Sequence, residues 1–202
     1  MTTSAELPAG FADKVLSAQT TFRSVMDAMA RPGTIRRVTA SVGRPSSLMI
    51  GTVAIALTLF DHDTPIWLDR KMAAAPEITE WLKFHSGAPV IADCSVCSFA
   101  LAGQGNELPA FDRFSLGSNE YPDRSTTLIL QVESLREGRA YELRGPGIDG
   151  SAILRAMIEP EDLFERLAIN VTLFPRGLDV ILVHGDAVVA IPRTTRLVAK
   201  GG

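Results

Sequence analysis

The chain has 202 residues, 46% of them hydrophobic and 21% charged, with a formal net charge of −3. A domain of this length buries about 70% of its unfolded surface and needs no disulfide or metal staple. The charge balance lacks the clustered cations of general nucleic-acid binding, and no apolar run reaches the ~20 residues of a membrane helix. The opening residues Met1 to Pro8 have neither the basic start nor the apolar core of a secretory signal. The expectation is a cytoplasmic protein with one domain over residues 1–202 and an ordered core of about 14–198. Arginine outnumbers lysine sixteen to four, which coding bias explains as well as anion recognition does.

In chain order, Val15, Ala18, Phe22, Val25, Met26 and Met29 recur at helical spacing and predict an amphipathic helix over 14–30, stopped by Pro32-Gly33. The apolar run Leu48 to Phe60, entered through Pro45-Ser46-Ser47, is too long for a typical strand and predicts a buried helix. Asp61 to Thr64 then turns the chain. A short strand over 65–69 and a helix over 76–85, closed by Gly87, follow as a β-α unit.

Six further segments rich in Val, Ile and Leu predict strands: 89–93, 95–102, 126–134, 139–144, 178–184 and 187–192. The last two face each other across Gly185-Asp186 as a hairpin. Residues 103–123 are polar and rich in Gly, Pro and Asn, and a short helix is expected over 161–168 after Pro160. Helices interleaved with strands predict the α/β class, with one continuous mixed sheet covered by helices on both faces.

Candidate chemistry is sparse. Cys94-Ser-Val-Cys97 is the sole thiol pair, and on a strand its sulfurs would point to opposite faces, so buried structural thiols are the preferred reading over a metal site. His62 between Asp61 and Asp63 suits a capping turn as well as acid–base work. His85 and His184 sit near element ends and have no triad partner in the sequence. Lys14, Lys71, Lys83 and Lys200 occupy expected helix surfaces, a turn and the tail, and none stands out as a Schiff-base lysine. Gly145-Pro146-Gly147 could cradle an anion but reads first as a tight turn. No nucleophile elbow, Walker A loop, dinucleotide fingerprint or His-Glu-x-x-His motif occurs. Near the C-terminus, Phe174-Pro-Arg-Gly-Leu-Asp179 and Ile191-Pro-Arg-Thr-Thr195 flank the hairpin, which brings Asp179 and Arg193 together as an ion pair or an anion site, with the structural pair preferred.

These two segments, with Phe22-Arg23, Met26, Ala28-Met29, Pro32-Gly33, Asp63 to Leu68, Phe84-His85, Ala88-Pro89, Thr127 to Val132, Leu143, Gly145, Gly147 and Ile148, resemble in order the PhnH family of the bacterial carbon–phosphorus lyase system. The resemblance spans residues 17–196 and leaves out Cys94 and Cys97. It implies a part in phosphonate use alongside the subunits G, I, J, K and L of that system. In that pathway the I component, with G, L and the PhnH protein, displaces adenine from ATP by a phosphonate, giving a ribose 1-phosphonate 5-triphosphate. The J component then breaks the carbon–phosphorus bond with an iron–sulfur cluster and S-adenosylmethionine.

The resemblance also implies a three-layer α/β/α sandwich similar to pyridoxal phosphate-dependent transferases, without retained cofactor chemistry. It further implies a chain that pairs with itself when isolated, or with other subunits in the core complex. It transfers no catalytic residue, cofactor ligand or metal ligand. Phe174, Pro175, Arg176, Gly177, Asp179, Pro192, Arg193, Thr194 and Thr195 are expected to form a structural or partner-contacting surface. The alternative is a nucleotide or phosphonate site built on arginines such as Arg176 and Arg193.

Overall fold

The computed structural model describes residues 7–103, 108–160 and 162–199. Helix α1, Lys14–Ala30, starts where the Asp13 carboxylate accepts the Leu16 amide, and it buries Thr21, Val25 and Ala28. Helix α2, Ile50–Leu59, is buried along Gly51 to Ala56, as expected of a helix apolar on all sides. Its Ser/Pro approach forms a separate turn, with the Leu48 amide donating to Pro45 O, and no side chain caps the helix at Met49. Helix α4, Pro76–Ser86, carries Pro at its first position and ends at Gly87 in the left-handed conformation. The four-residue α3, Arg70–Ala73, precedes it.

Seven strands form the main sheet: β1 (Arg36–Arg37), β2 (Ile66–Leu68), β3 (Val90–Ile91), β4 (Phe99–Ala102), β5 (Thr127–Gln131), β8 (Asp179–His184) and β9 (Ala187–Ile191). Their order is β1-β9-β8-β5-β4-β2-β3. The run from β3 to β8 is parallel, while β9 pairs antiparallel with both β8 and β1. The class is therefore mixed α/β.

The expected single sheet is corrected by a second one of three strands, β10-β6-β7, from β6 (Ser134–Arg144), β7 (Ala152–Met157) and β10 (Arg196–Ala199). The reason lies in the pattern: Arg136 to Arg139 are exposed, whereas Leu135, Tyr141 and Leu143 are buried, so this hairpin is apolar on one face alone. Such a ribbon cannot enter a parallel sheet buried on both faces, so it packs face-on against it. The expected strand over 126–134 is accordingly two strands that part after Gln131, and the expected 139–144 strand is the second half of β6. Gly145 to Gly150 form the β6–β7 turn, in keeping with the tight turn expected at Gly145-Pro146-Gly147.

Successive residues of the main sheet alternate between two cores. Ile129, Ile181 and Val183 join α1, α2 and α4, with Trp81 fully buried among them. Leu128, Leu130 and Leu182 face the opposite way, toward the small sheet and α5, Leu163–Asn170. One face of the main sheet is thus covered by helices and the other by one helix plus three strands. Phe11, ahead of α1, joins the first core and bridges to Val42. The expected helix over 161–168 is α5 shifted toward the C-terminus, and Glu161 and Lys200 lie outside the described residues.

Candidate functional site

The β8–β9 hairpin pairs Val180 with Ile191, so the residues just outside the ladder, Asp179 and Arg193, meet at the amino end of the parallel strands. The Arg193 amide donates to Asp179 Oδ1 at 2.8 Å, Nε reaches the same oxygen at 3.2 Å and Nη2 reaches Oδ2 at 2.5 Å. Nη1 also donates to Pro122 O at 2.7 Å and Pro175 O at 3.2 Å, and Nη2 to Ser125 Oγ. All five N–H groups of the guanidinium therefore have acceptors inside the chain. The pair is largely buried, with side-chain exposures of 14% and 16%.

This arrangement clamps two loops, one carrying Pro122 and Ser125 and the other Pro175, to the hairpin and leaves Arg193 no donor for an external anion. Arg176, by contrast, is exposed. The Phe174 to Leu178 segment is fixed from its other side by Asn170, the buried last residue of α5. Its side chain donates to Leu178 O and accepts the Leu178 amide, both at 2.9 Å. The Gly177 amide donates to Leu116 O at 2.9 Å. Thr195 closes a turn onto Pro192 O and keeps its hydroxyl buried without a partner. Around this frame lies a notch of about 360 Å³ lined by Pro122, Asp123, Phe174, Pro175, Asp179, Pro192, Arg193 and Thr194. Phe174 is 63% exposed on its wall.

A more polar cavity of about 420 Å³ shares Asp123 with this notch and reaches Cys97, Ser98, Ser115, Arg124, Ser125 and Thr127. A third, of about 390 Å³, lies at the carboxyl ends of β2, β4 and β5, beside Asp69, Gly103 and Gln131. There the polar groups serve the fold: Asp69 accepts the Met72 and Gly103 amides, and Gln131 accepts the Met49 amide and the Thr52 hydroxyl.

The thiol pair lies on a 3-10 turn, Cys94–Val96, and not on the expected strand, because the Asp93 carboxylate caps the Ser95 amide and turns the chain before β4. The sulfurs are consequently not forced to opposite faces. Cys97 Sγ donates to Cys94 O, and Cys94 Sγ to Arg113 O. Burial pushes both thiols above their usual titration range, so neither is a ready nucleophile. Hydrogen bonds from Ser95 hold the Asp93 carboxyl below its usual range.

His62 lies in an Asx turn, 3.3 Å from Asp63 and exposed. His85 bonds to Pro8 O, and His184 to Val132 O. Among the described residues, no group of three or more His, Cys, Asp and Glu side chains is placed to hold a metal ion. None of their helices is long and apolar enough to cross a membrane. Asn170, Pro122 and Ser125 were missed by sequence reasoning. A polar residue at the end of an apolar helical face could have flagged Asn170.

The chain is 42% identical over 198 residues, 98% of each chain, to the alpha-D-ribose 1-methylphosphonate 5-triphosphate synthase subunit PhnH of Rhizobium meliloti (strain 1021). It is 33% identical over 184 residues, 91% of this chain and 87% of the relative, to the provisionally named C-P lyase subunit protein HtxG of Stutzerimonas stutzeri. The profile of the bacterial phosphonate metabolism protein (PhnH) family matches residues 9–198. With nearly its whole length covered, and its two C-terminal motifs joined through Asp179 and Arg193, the chain belongs to the PhnH family of bacterial phosphonate metabolism proteins.

Proposed function

We propose that this chain is a cytoplasmic subunit of the carbon–phosphorus lyase core complex. In this reading it is needed to form ribose 1-phosphonate 5-triphosphate from ATP and a phosphonate, and it acts mainly as an assembly component. The relatives' names, a synthase subunit and a C-P lyase subunit, support the setting. The observation that carries the assembly role is the notch around Phe174. An exposed aromatic ring stands among three prolines on a loop frame locked by Arg193, which is the rigid apolar anchor that hot spots at subunit interfaces use. The partners in this reading are subunits G, I and J, with K and L in the system, and a second copy of the chain when isolated. The likeness to pyridoxal phosphate-dependent transferases belongs to the same proposal. The mixed seven-stranded sheet supports it, and no cofactor chemistry is assigned to the three described lysines.

The test is co-expression with subunits G, I and J and capture through a tag on the I component. The chain is expected to co-purify stoichiometrically, and phosphonate-dependent adenine release to require it. Phe174→Asp, an exposed change that leaves the fold intact, is expected to lower recovery of the chain at least tenfold, in line with the loss of an interface anchor. Recovery of this variant at the level of the parent chain would remove the notch as the docking surface.

A second reading, direct binding of ligand, is favoured by the 420 Å³ cavity beside the notch.

A further inference from the structure

We infer that the solvent face of the small sheet docks an acidic, partly apolar surface of a partner protein. The inference rests on the assembly reading and gives its partner a chemistry. The alternation of each strand sets the face. β6 buries Tyr141 and Leu143, and β7 buries Leu154 and Ala156, so Glu142, Arg144, Ile153, Arg155 and Met157 point away from the second core. Arg196 joins them, because it pairs with Arg144 directly across the β10–β6 ladder. Over residues 140–144, 153–157 and 196, three guanidiniums thus share the face with one carboxylate. Arg144 Nε and Nη2 reach Glu142 Oε1 at 2.7 and 2.6 Å, whereas Arg155 and Arg196 have no ion-pair partner among the described residues. Like charges directly opposite each other repel, so the Arg144–Arg196 pair destabilises the free chain, and an incoming carboxylate removes the repulsion.

Spacing and composition select the class of partner. Arg155 pairs with Ala140, four residues along β6 from Arg144, which sets its charge about 13 Å farther along the sheet than the Arg144–Arg196 pair. No single small anion meets all three. Ile153, 46% exposed, lies between them opposite Glu142, and Met157, 41% exposed, lies beyond Arg155. A phosphate backbone has nothing apolar to set against these two side chains, and the net charge of −3 gives the chain no general attraction to nucleic acid or to an anionic membrane. A protein surface with carboxylates placed around apolar side chains matches both the guanidiniums and the apolar residues, and arginine and methionine are enriched where such surfaces meet. The face also adjoins the notch: Thr194 lines the notch, Arg196 follows two residues later, and Gly145, next to Arg144, lies against the Thr194 carbonyl. One partner can thus cover Phe174 and Arg196 together.

The test uses the complex captured through the tagged I component. Recovery of the chain is measured at rising sodium chloride for the parent, Arg155→Glu, Arg196→Glu and the double variant. The parent should co-purify at low salt and be released progressively as salt screens the contacts. The double variant should be recovered at least tenfold less at low salt, since it sets carboxylate against carboxylate. Arg196→Glu carries a second, opposite expectation. It turns the repelling pair with Arg144 into an attracting one, so the thermal midpoint of the isolated chain should hold or rise while recovery falls. Arg155→Glu, opposite Ala140, should leave the midpoint unchanged. Duplex DNA and vesicles containing phosphatidylserine are titrated into the isolated parent, with no binding expected. Recovery of the double variant at the level of a parent that co-purifies would overturn the acidic partner and leave the assembly reading standing, whereas absence of the parent from the complex would end both. Loss of recovery matched by lower midpoints in both single variants, or binding of DNA or vesicles that the double variant loses, would also overturn it.

Discussion

At the scale of single residues, the stability of the motif rests on one guanidinium. Arg193→Met would strip five hydrogen bonds from Asp179, Ser125, Pro122 and Pro175 and leave the Asp179 carboxylate largely buried and unpaired. Removing one partner of such a pair costs about 3 kcal/mol or more, to be read as a shift in the urea midpoint. Arg193→Lys should recover little of that loss, because an ammonium cannot present the planar fork that reaches all four residues. The meeting of Asp179 and Arg193 was legible in the sequence, since a two-residue turn fixes the register of a hairpin. The other contacts were not: Ser125 and Pro122 lie 68 and 71 residues from Arg193, and only the completed sheet brings them near. The thiol pair shows the converse failure. A strand assigned from apolar content overlooked Asp93, whose carboxylate turns the chain at Ser95.

At the scale of elements, the helices announced themselves through periodicity and caps, and the parallel strands through runs of apolar residues. The β6–β7 ribbon hid because Ser134 to Arg144 is polar for much of its length, and its pairing skips from Ser134 to Arg139 across a bulge. Its turn is nonetheless closely fitted to the rest of the fold. Gly147 has φ +79°, and a Cβ there would overlap the carbonyl of Ala30 at the end of α1, whereas Gly150, with φ +66°, has nothing within 4 Å. Both positions disfavour a side chain through the backbone, but only one is also blocked. Gly147→Ala should therefore destabilise the chain by about 1–3 kcal/mol more than Gly150→Ala, the usual cost of forcing atoms into a packed contact. Equal midpoints for the two variants in thermal unfolding would show that the turn is not seated against α1. The two glycines of this turn answer to different neighbours: Gly147 lies against the end of α1, while a Cβ on Gly145 would come within 3.0 Å of the Thr194 carbonyl.

At the scale of the molecule, one sheet serves two cores, and the consequence is cooperativity. Each central strand contributes alternate residues to both sides, so neither core can dissolve while the other keeps its wall. Ile181 and Leu182 are neighbours in sequence, yet the first packs with the helices and the second with the small sheet and α5. The chain supplies a reporter on each side: Trp81 is fully buried in the first core, and Trp67 packs against the second, edge-on to Phe114 at 5.5 Å. With Trp67→Phe or Trp81→Phe, fluorescence follows one core at a time. The two denaturation curves are expected to share one midpoint once each background is corrected for its own loss of stability by circular dichroism, the signature of a single cooperative unit. Ile181→Ala and Leu182→Ala should each lower stability by about 2–5 kcal/mol. Each should move both reporters by the same amount, although each alters only one core. A variant that moved one reporter and spared the other would divide the chain into two folding units and end the single-domain reading. A common shift would mean that the motif at the amino edge, which joins the same strands, owes its rigidity to both cores at once.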